Sequence, residues 1–257
     1  MKGEKMRDNG AIPSKLRDIL GEYGEVAIAY SGGSDSSYLL YAASVCCRKV
    51  ALYTVTSQFQ SYVETQKALE LSRAMGFSTK VLEADVMDDA ITANGPDRCY
   101  LCKSRLFSKM IEAAKEDGFD FVMDGTNASD DPSLRPGMKA LEEKGIISPL
   151  RICGIAKDQV RELSKKAGLK SWDIPSNSCL ATRIPSGRKI TLEELKRIDD
   201  AEYELRTLGF RDFRVRSYED RAVLETGKSE WHNLEYGREN VEKVLLKYYP
   251  AIEYKER

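Results

Sequence analysis

Residues 29–37 read Ala-Tyr-Ser-Gly-Gly-Ser-Asp-Ser-Ser, and no other stretch narrows the possible folds so far. They follow a short apolar run, 25–30 (EVAIAY). They lead into residues 34–47, where Tyr38, Leu39, Ala42, Ala43 and Cys46 recur at helical spacing. An apolar run ending in a Ser-Gly-Gly turn predicts a buried strand, and the pattern behind it predicts a helix that starts directly after the glycines. Strand, glycine turn and helix in that order form a phosphate cradle. Gly32 and Gly33 let backbone amides approach an anion, and the helix start adds unpaired N–H groups and the positive end of the dipole. Ser31, Gly32, Gly33, Ser34, Asp35 and Ser36 are the candidate phosphate-binding residues. Asp35 would repel a phosphate unless Mg²⁺ bridges the two or the side chain points away. A Gly-Gly turn alone is explained by an ordinary, well-capped helix start. The full Ser-Gly-Gly-x-Asp-Ser string between strand and helix favours the cradle.

Further strands are expected at 50–56, 79–84 and 120–124, and further helices at 61–75, 102–117 and 156–167. Alternating strands and helices imply an α/β fold with a doubly wound parallel sheet covered on both faces. In such sheets ligands sit beyond the strand C-termini, so the DGTN string after 120–124 places Gly125 and Thr126 at the border of a nucleotide pocket. The pattern changes near residue 185. Pro175 and Pro185 bracket SNSCLATRI, a charged helix is expected over 191–208, FRVRS and RAVLET read as two strands joined by YED, and a last helix covers much of 237–248. The chain thus divides into a nucleotide domain carrying the cysteine site, 1–184, and a smaller α+β domain, 185–257. Gly227-Lys228-Ser229 imitates the end of a Walker A loop, but Ala222 occupies the position of its first glycine, and the segment reads as a turn.

Composition removes whole classes of chemistry. The 257 residues include 40 Lys plus Arg, 41 Asp plus Glu and a single histidine, His232. A zinc site needing two histidines is impossible from one chain, and histidine-centred catalysis would have to run through His232 alone. A net charge of −1 argues against a dedicated nucleic-acid surface. No run approaches the ~20 apolar residues of a membrane span, and MKGEKMRDNG is followed by no apolar segment of a secretory signal. A cytoplasmic location is therefore expected, where cysteines stay reduced. Cys46, Cys47 and Cys153 read as packing residues. Cys99 and Cys102 form C-x-x-C within DRCYLCK, and Cys179 lies far away in PSNSCLATRIP. C-x-x-C alone fits a thiol redox pair, half a zinc site or part of an iron–sulfur site. Three thiolates can hold a [4Fe–4S] cluster and leave one iron open to bind a substrate atom or an extra sulfide.

The string at 29–37 resembles the pyrophosphate loop of the PP-loop ATPases, whose adenine nucleotide alpha hydrolase-like fold cleaves ATP to AMP and pyrophosphate. The chain as a whole resembles the LarE family of PP-loop sulfur transferases. AYSGGSDSS, DRCYLCK, DGTNASD, LRPG, ISPL, GLKSWDIPSNSCLATRIPSG and FRVRSYEDRAVLE carry the resemblance from residue 29 to 225, in family order. It implies that ATP adenylates a carboxylate of pyridinium-3,5-biscarboxylic acid mononucleotide and that sulfur then replaces the activated oxygen, a step in nickel-pincer cofactor biosynthesis. Some members use the cysteine matching Cys179 as a sacrificial donor, left as dehydroalanine. Others carry three cysteines matching Cys99, Cys102 and Cys179 and are thought to use a [4Fe–4S] cluster. This chain has all three, which favours the cluster route and leaves the sacrificial one open. Arg214 and Arg216, two apart in a strand, suit an anionic mononucleotide. The resemblance puts Glu202 and Glu225 near the active site, and Arg183, four residues after Cys179, is a candidate to bind substrate phosphate or lower a thiol pKa. Lys103 and Arg183 also neighbour Cys102 and Cys179. Mg²⁺ is expected beside ATP on the strength of Asp35, and the resemblance implies a homo-oligomer. Two other readings remain: a PP-loop tRNA thiolase, and a metal or redox module built on C-x-x-C.

Overall fold

The structure is a computed structural model that describes residues 9–131, 136–175 and 178–257. Leu134 and Arg135 of the LRPG string, and Ser176 and Asn177 before Cys179, lie outside the described residues. The chain groups into two compact units. The first takes residues up to Ser57, then Glu64–Val86, then Cys99 to residue 176. The second takes Gln58–Val63, Met87–Arg98 and residue 177 to the end. The division expected at 184/185 places Cys179 in the first domain, whereas the contacts of the chain group it with the second.

The first unit holds β1 (Glu25–Ala29), β2 (Lys49–Thr56), β3 (Thr79–Glu83) and β4 (Val122–Met123) in the order β3-β2-β1-β4, every pairing parallel. The fold is α/β, as the alternation implied. β1 is apolar because it is buried between two neighbours: Val26, Ala27 and Ile28 are fully buried. Helix α2 (Ser34–Cys46) is buried nearly all round and packs against α1 (Ser14–Tyr23) and α8 (Lys157–Lys166). Such a central helix has no polar face to show in its sequence. Cys47 and, at the edge, Cys46 and Cys153 join this core. Burial pushes the Cys153 thiol pKa up, against a smaller opposing pull from Lys15.

β4 is shorter than the 120–124 expected. After Met123 the ladder passes to Ile147: Asp124 N–H donates to its carbonyl at 2.9 Å, and Gly125 then turns the chain away. The helices between and beyond these strands are α3 (Tyr62–Ala74), α5 (Arg98–Glu116), α6 (Gly137–Glu143) and α7 (Pro149–Ile152), while α4 (Asp89–Thr92) falls in the second unit. Helix α5 starts four residues before the expected position, so both cysteines of C-x-x-C lie inside it.

The second unit has a 3₁₀ turn (Leu180–Arg183), helices α9 (Leu192–Thr207) and α10 (Lys228–Leu245), and a sheet of order β5-β6-β7. β5 (Phe213–Ser217) and β6 (Ala222–Thr226) are antiparallel, while β7 (Ile252–Glu256) lies parallel to β6 after the crossover helix α10. Phe213 and Val215 enter the core with Leu205 and Leu245, and each buried side chain of this size contributes about 1.5–3 kcal/mol. Two expectations are corrected here. Gly227 is the N-cap of α10 rather than part of a turn. Its N–H donates to the Asp212 carbonyl at 2.9 Å, and a Cβ on it would lie 2.2 Å from Asp212 Oδ2. The helix expected over 237–248 is the C-terminal half of this longer one. Among the described residues no helix is long and apolar enough to cross a membrane.

Candidate active site

The chain runs from β1 outward to β3 and then returns to β4 on the other side of β1. That reversal is a topological switch point, and open α/β sheets bind ligands beyond the strand C-termini at such points, here those of β1 and β4. The loop 30–33 and the DGTN segment both lie there. Gly32 has φ +74°, and a Cβ on it would come within 2.5 Å of the Ala68 Cβ on α3. Both the backbone conformation and the packing therefore require glycine. The first bond of α2 runs from Ser37 N–H to the Gly33 carbonyl at 3.0 Å. The N–H groups of Ser34, Asp35 and Ser36 thus precede the helical ladder. Gly125 lies against them: a Cβ there would sit 2.8 Å from Ser36 N and 3.0 Å from the Asp35 carbonyl carbon. Any side chain at 125 would occupy the space into which a helix start offers its N–H groups. Ser31 Oγ and Ser36 Oγ stand 3.1 Å apart, and Ser36 Oγ donates to the Gly33 carbonyl at 3.2 Å, which holds the loop in shape.

Asp35 is paired with a residue that sequence reasoning missed. Lys157, the first residue of α8, donates to Asp35 Oδ2 at 2.6 Å and to Ser34 Oγ at 2.8 Å. A cation in the first turn of a helix opposes the dipole. That mismatch was the available signal, and the Asp35 carboxylate offsets it. Asp35 Oδ1 is buried with no hydrogen-bond partner. An orphaned carboxylate oxygen at a phosphate cradle fits a Mg²⁺ ligand. The Thr126 hydroxyl donates to Asp124 Oδ2 at 2.5 Å, and Ser148 Oγ of the ISPL string donates to Asp124 Oδ1 at 2.6 Å. Asp124 therefore ties the DGTN loop to the segment after Ile147.

Cys99 and Cys102 stand one turn apart in the first turns of α5, both half-buried, on one face of the helix. The Lys103 stem lies over Gly137 of α6, where a Cβ would meet Lys103 Cδ at 2.6 Å. Among the described residues no three His, Cys, Asp or Glu groups are gathered as a metal centre. The fit to an iron–sulfur cluster therefore rests on residue type alone, the thiol pair Cys99 and Cys102 at helical spacing.

In the second unit Cys179 caps the 3₁₀ turn 180–183. Arg183 and Glu202 were expected at the substrate. They are 1% and 2% exposed and bond to one another in a bidentate pair, Nε–Oε1 2.8 Å and Nη2–Oε2 3.1 Å. Arg214 and Arg216 share one face of β5 while Val215 points inward. Arg216 pairs with Glu225 at 2.8 Å and donates to the Thr182 carbonyl. The Arg214 side chain makes no hydrogen bond or ion pair among the described residues. Burial, then the nearby cations Arg257, Arg183 and Arg216, depress its guanidinium pKa against a smaller opposing pull from Glu225. Glu225 lies across from it in the ladder, and a half-buried guanidinium whose cationic neighbours outweigh that one carboxylate suits an anion. Burial pushes the Glu225 pKa up, but Arg216, Lys255 and Arg214 outweigh it and hold the carboxyl below the usual range. His232 lies on the open face of α10, its ring edge-on to Tyr236 with centroids 4.7 Å apart.

Comparisons with known proteins find relatives over most of the chain. A family model described as a family of unknown function, DUF7411, matches residues 24–179. An uncharacterized protein of Synechocystis is 37% identical over 212 residues, 82% of this chain and 79% of that protein. An uncharacterized protein of Methanocaldococcus jannaschii is 33% identical over 201 residues, 78% of this chain and 77% of that protein. The pyridinium-3,5-bisthiocarboxylic acid mononucleotide synthase of Lactiplantibacillus plantarum is 33% identical over 203 residues, 78% of this chain and 74% of that protein.

Proposed function

The chain belongs to the LarE family, and from that membership we propose that it is an ATP-dependent sulfur transferase acting on pyridinium-3,5-biscarboxylic acid mononucleotide. The observation that carries this reading is the cradle, where the N–H groups of Ser34, Asp35 and Ser36 start a buried helix and Gly125 leaves room above them. A substrate carboxylate oxygen attacks the α-phosphorus of ATP, the bond to the β-phosphate breaks, and pyrophosphate leaves. Charge on the departing pyrophosphate is stabilised by preorganised donors, here those N–H groups and the Lys157 ammonium. Asp35 would hold Mg²⁺ through its orphaned oxygen, and the ion would neutralise phosphate charge. The second step is attack of sulfur on the acyl adenylate. The C–O bond to AMP breaks, AMP leaves with the former carboxylate oxygen, and a thiocarboxylate remains.

Arg214 and Arg216 bind the anionic mononucleotide, with Glu225 setting the orientation of Arg216. Cys99, Cys102 and Cys179 are the thiolates that would hold a [4Fe–4S] cluster, which when bound supplies a sulfide as the nucleophile. The alternative donor is Cys179 itself. Its thiolate displaces AMP, loss of Hα to a base cleaves its Cβ–S bond, and dehydroalanine is left at position 179. Anaerobic purification with iron and sulfide assay, followed by one turnover and intact mass, separates the two routes. The cluster route predicts bound iron, an unchanged protein mass and loss of activity in Cys99→Ala. A chain lighter by one H₂S after turnover, with Cys99→Ala still active, assigns the sulfur to Cys179. No thiocarboxylate from ATP and the mononucleotide under either condition refutes the function.

A further inference from the structure

We propose that Arg183 is a positioning residue: with Glu202 it locks the Cys179 turn to strand β5, so that Cys179 and the Arg214–Arg216 face act as one rigid body. The proposal rests on the reading that Cys179 takes part in sulfur transfer. Arg183 binds no substrate, because its nitrogens are engaged inside the protein. Nε and Nη2 bond the two oxygens of Glu202. Nη1 donates to the Ser178 carbonyl at 2.9 Å, to Ser178 Oγ at 2.8 Å and to Thr182 Oγ1 at 3.1 Å. Those acceptors flank Cys179 on both sides. Glu202 Oε1 also accepts the Val215 N–H at 3.0 Å, and Val215 is the residue between Arg214 and Arg216. The path from the Cys179 turn to the arginine strand therefore has no gap: turn carbonyl, guanidinium, carboxylate, strand N–H.

The chemistry of the pair points the same way. A buried ion pair is generally replaceable by apolar side chains of similar volume without loss of stability, so stability is a weak reason for this one. An apolar pair would fill the space but could not bond the turn and the strand together. The planar fork of arginine does so in fixed geometry, which the point charge of lysine does not reproduce. Sulfur transfer needs such fixity, since a misplacement of ~1 Å at the reacting atoms costs about 10²-fold in rate.

The test uses the full chain carrying Arg183→Met with Glu202→Met, which removes both charges and leaves neither buried alone. Thiocarboxylate formation should fall about 10²-fold in kcat, with KM for the mononucleotide and the first burst of pyrophosphate unchanged. Amide hydrogen exchange should quicken together at 178–183 and 213–217. Arg183→Lys keeps the charge and loses the fork. It should show the same loss, and it carries the same readouts if the double variant does not fold. A raised KM with unchanged kcat would make Arg183 a substrate ligand and overturn the proposal. So would parental exchange at 178–183, or full activity in Arg183→Lys. Cys179→Ala is measured alongside: parental sulfur transfer in that variant refutes the role of Cys179, whereas the exchange data judge the clamp on their own.

Discussion

Gly125→Ala probes the cradle through a single methyl group. The new Cβ would lie 2.8 Å from Ser36 N, 3.0 Å from the Asp35 carbonyl carbon and 3.1 Å from Ser36 Cα. Ordinary contact begins at 3.4 Å, so the three atoms must retreat by 0.6, 0.4 and 0.3 Å. All three belong to the backbone at the start of α2, and that helix is buried against its neighbours, so the movement has no flexible side chain to absorb it. Overpacking of this kind costs about 1–3 kcal/mol, with roughly 2–4 °C of melting temperature lost per kcal/mol. The functional cost should be larger than the structural one. The methyl covers the Ser36 N–H, and loss of one preorganised donor costs about 10²–10³-fold in kcat. Pyrophosphate release with ATP and the mononucleotide, ATP KM and thermal melting are measured on one preparation. The reasoning is refuted if melting falls as expected while kcat and ATP KM stay parental, because the cradle would then hold no phosphate.

Other perturbations address other parts of the account. Lys157→Met should raise ATP KM and lower kcat for pyrophosphate release by about 10²-fold while leaving KM for the mononucleotide unchanged, as read by steady-state kinetics with each substrate varied. Glu225 has a folded pKa below its ordinary 4.5. Its contribution is full above that value and is lost as pH falls through the depressed one. The melting temperature of Glu225→Gln should therefore fall less than that of the parent on acidification from about pH 6 to pH 3. Gly237 lies inside α10 with nothing within 4 Å of an added Cβ, so Gly237→Ala should stabilise by about 1 kcal/mol in thermal melting and leave activity untouched.

Much of the first unit is legible in the chain because its signals are local. EVAIAY followed by Ser-Gly-Gly marks β1 and the start of α2, and the next two strands fall within a residue or two of expectation. Gly125 was placed at the pocket border by its position after a strand. That it touches Ser36 follows only from the pairing of β4 beside β1. Lys157 showed in sequence only as a cation at a helix start, and its pairing with Asp35, 122 residues away, did not show at all. The second unit was read less fully. β7, IEYKE, is short and mostly charged, and it becomes a strand only because β6 offers an edge. Segments 58–63 and 87–98 join this unit through long-range bonds such as Leu180 N–H to the Phe59 carbonyl and Asn94 Nδ2 to the Pro185 carbonyl, which no local periodicity encodes. Arg183 drew attention in sequence by its charge, whereas its burial against Glu202 shows only in the fold.

Oxygen tracing tests the central claim, adenylation of a carboxylate, most directly. The mononucleotide is labelled with ¹⁸O in its carboxylates and turned over once with unlabelled ATP, and the AMP is analysed by mass. The account predicts one ¹⁸O in the phosphate of AMP for each thiocarboxylate formed, because AMP departs with the oxygen that attacked the α-phosphorus. Thiocarboxylate formed with unlabelled AMP, or with ADP and phosphate as the products of ATP, would contradict it.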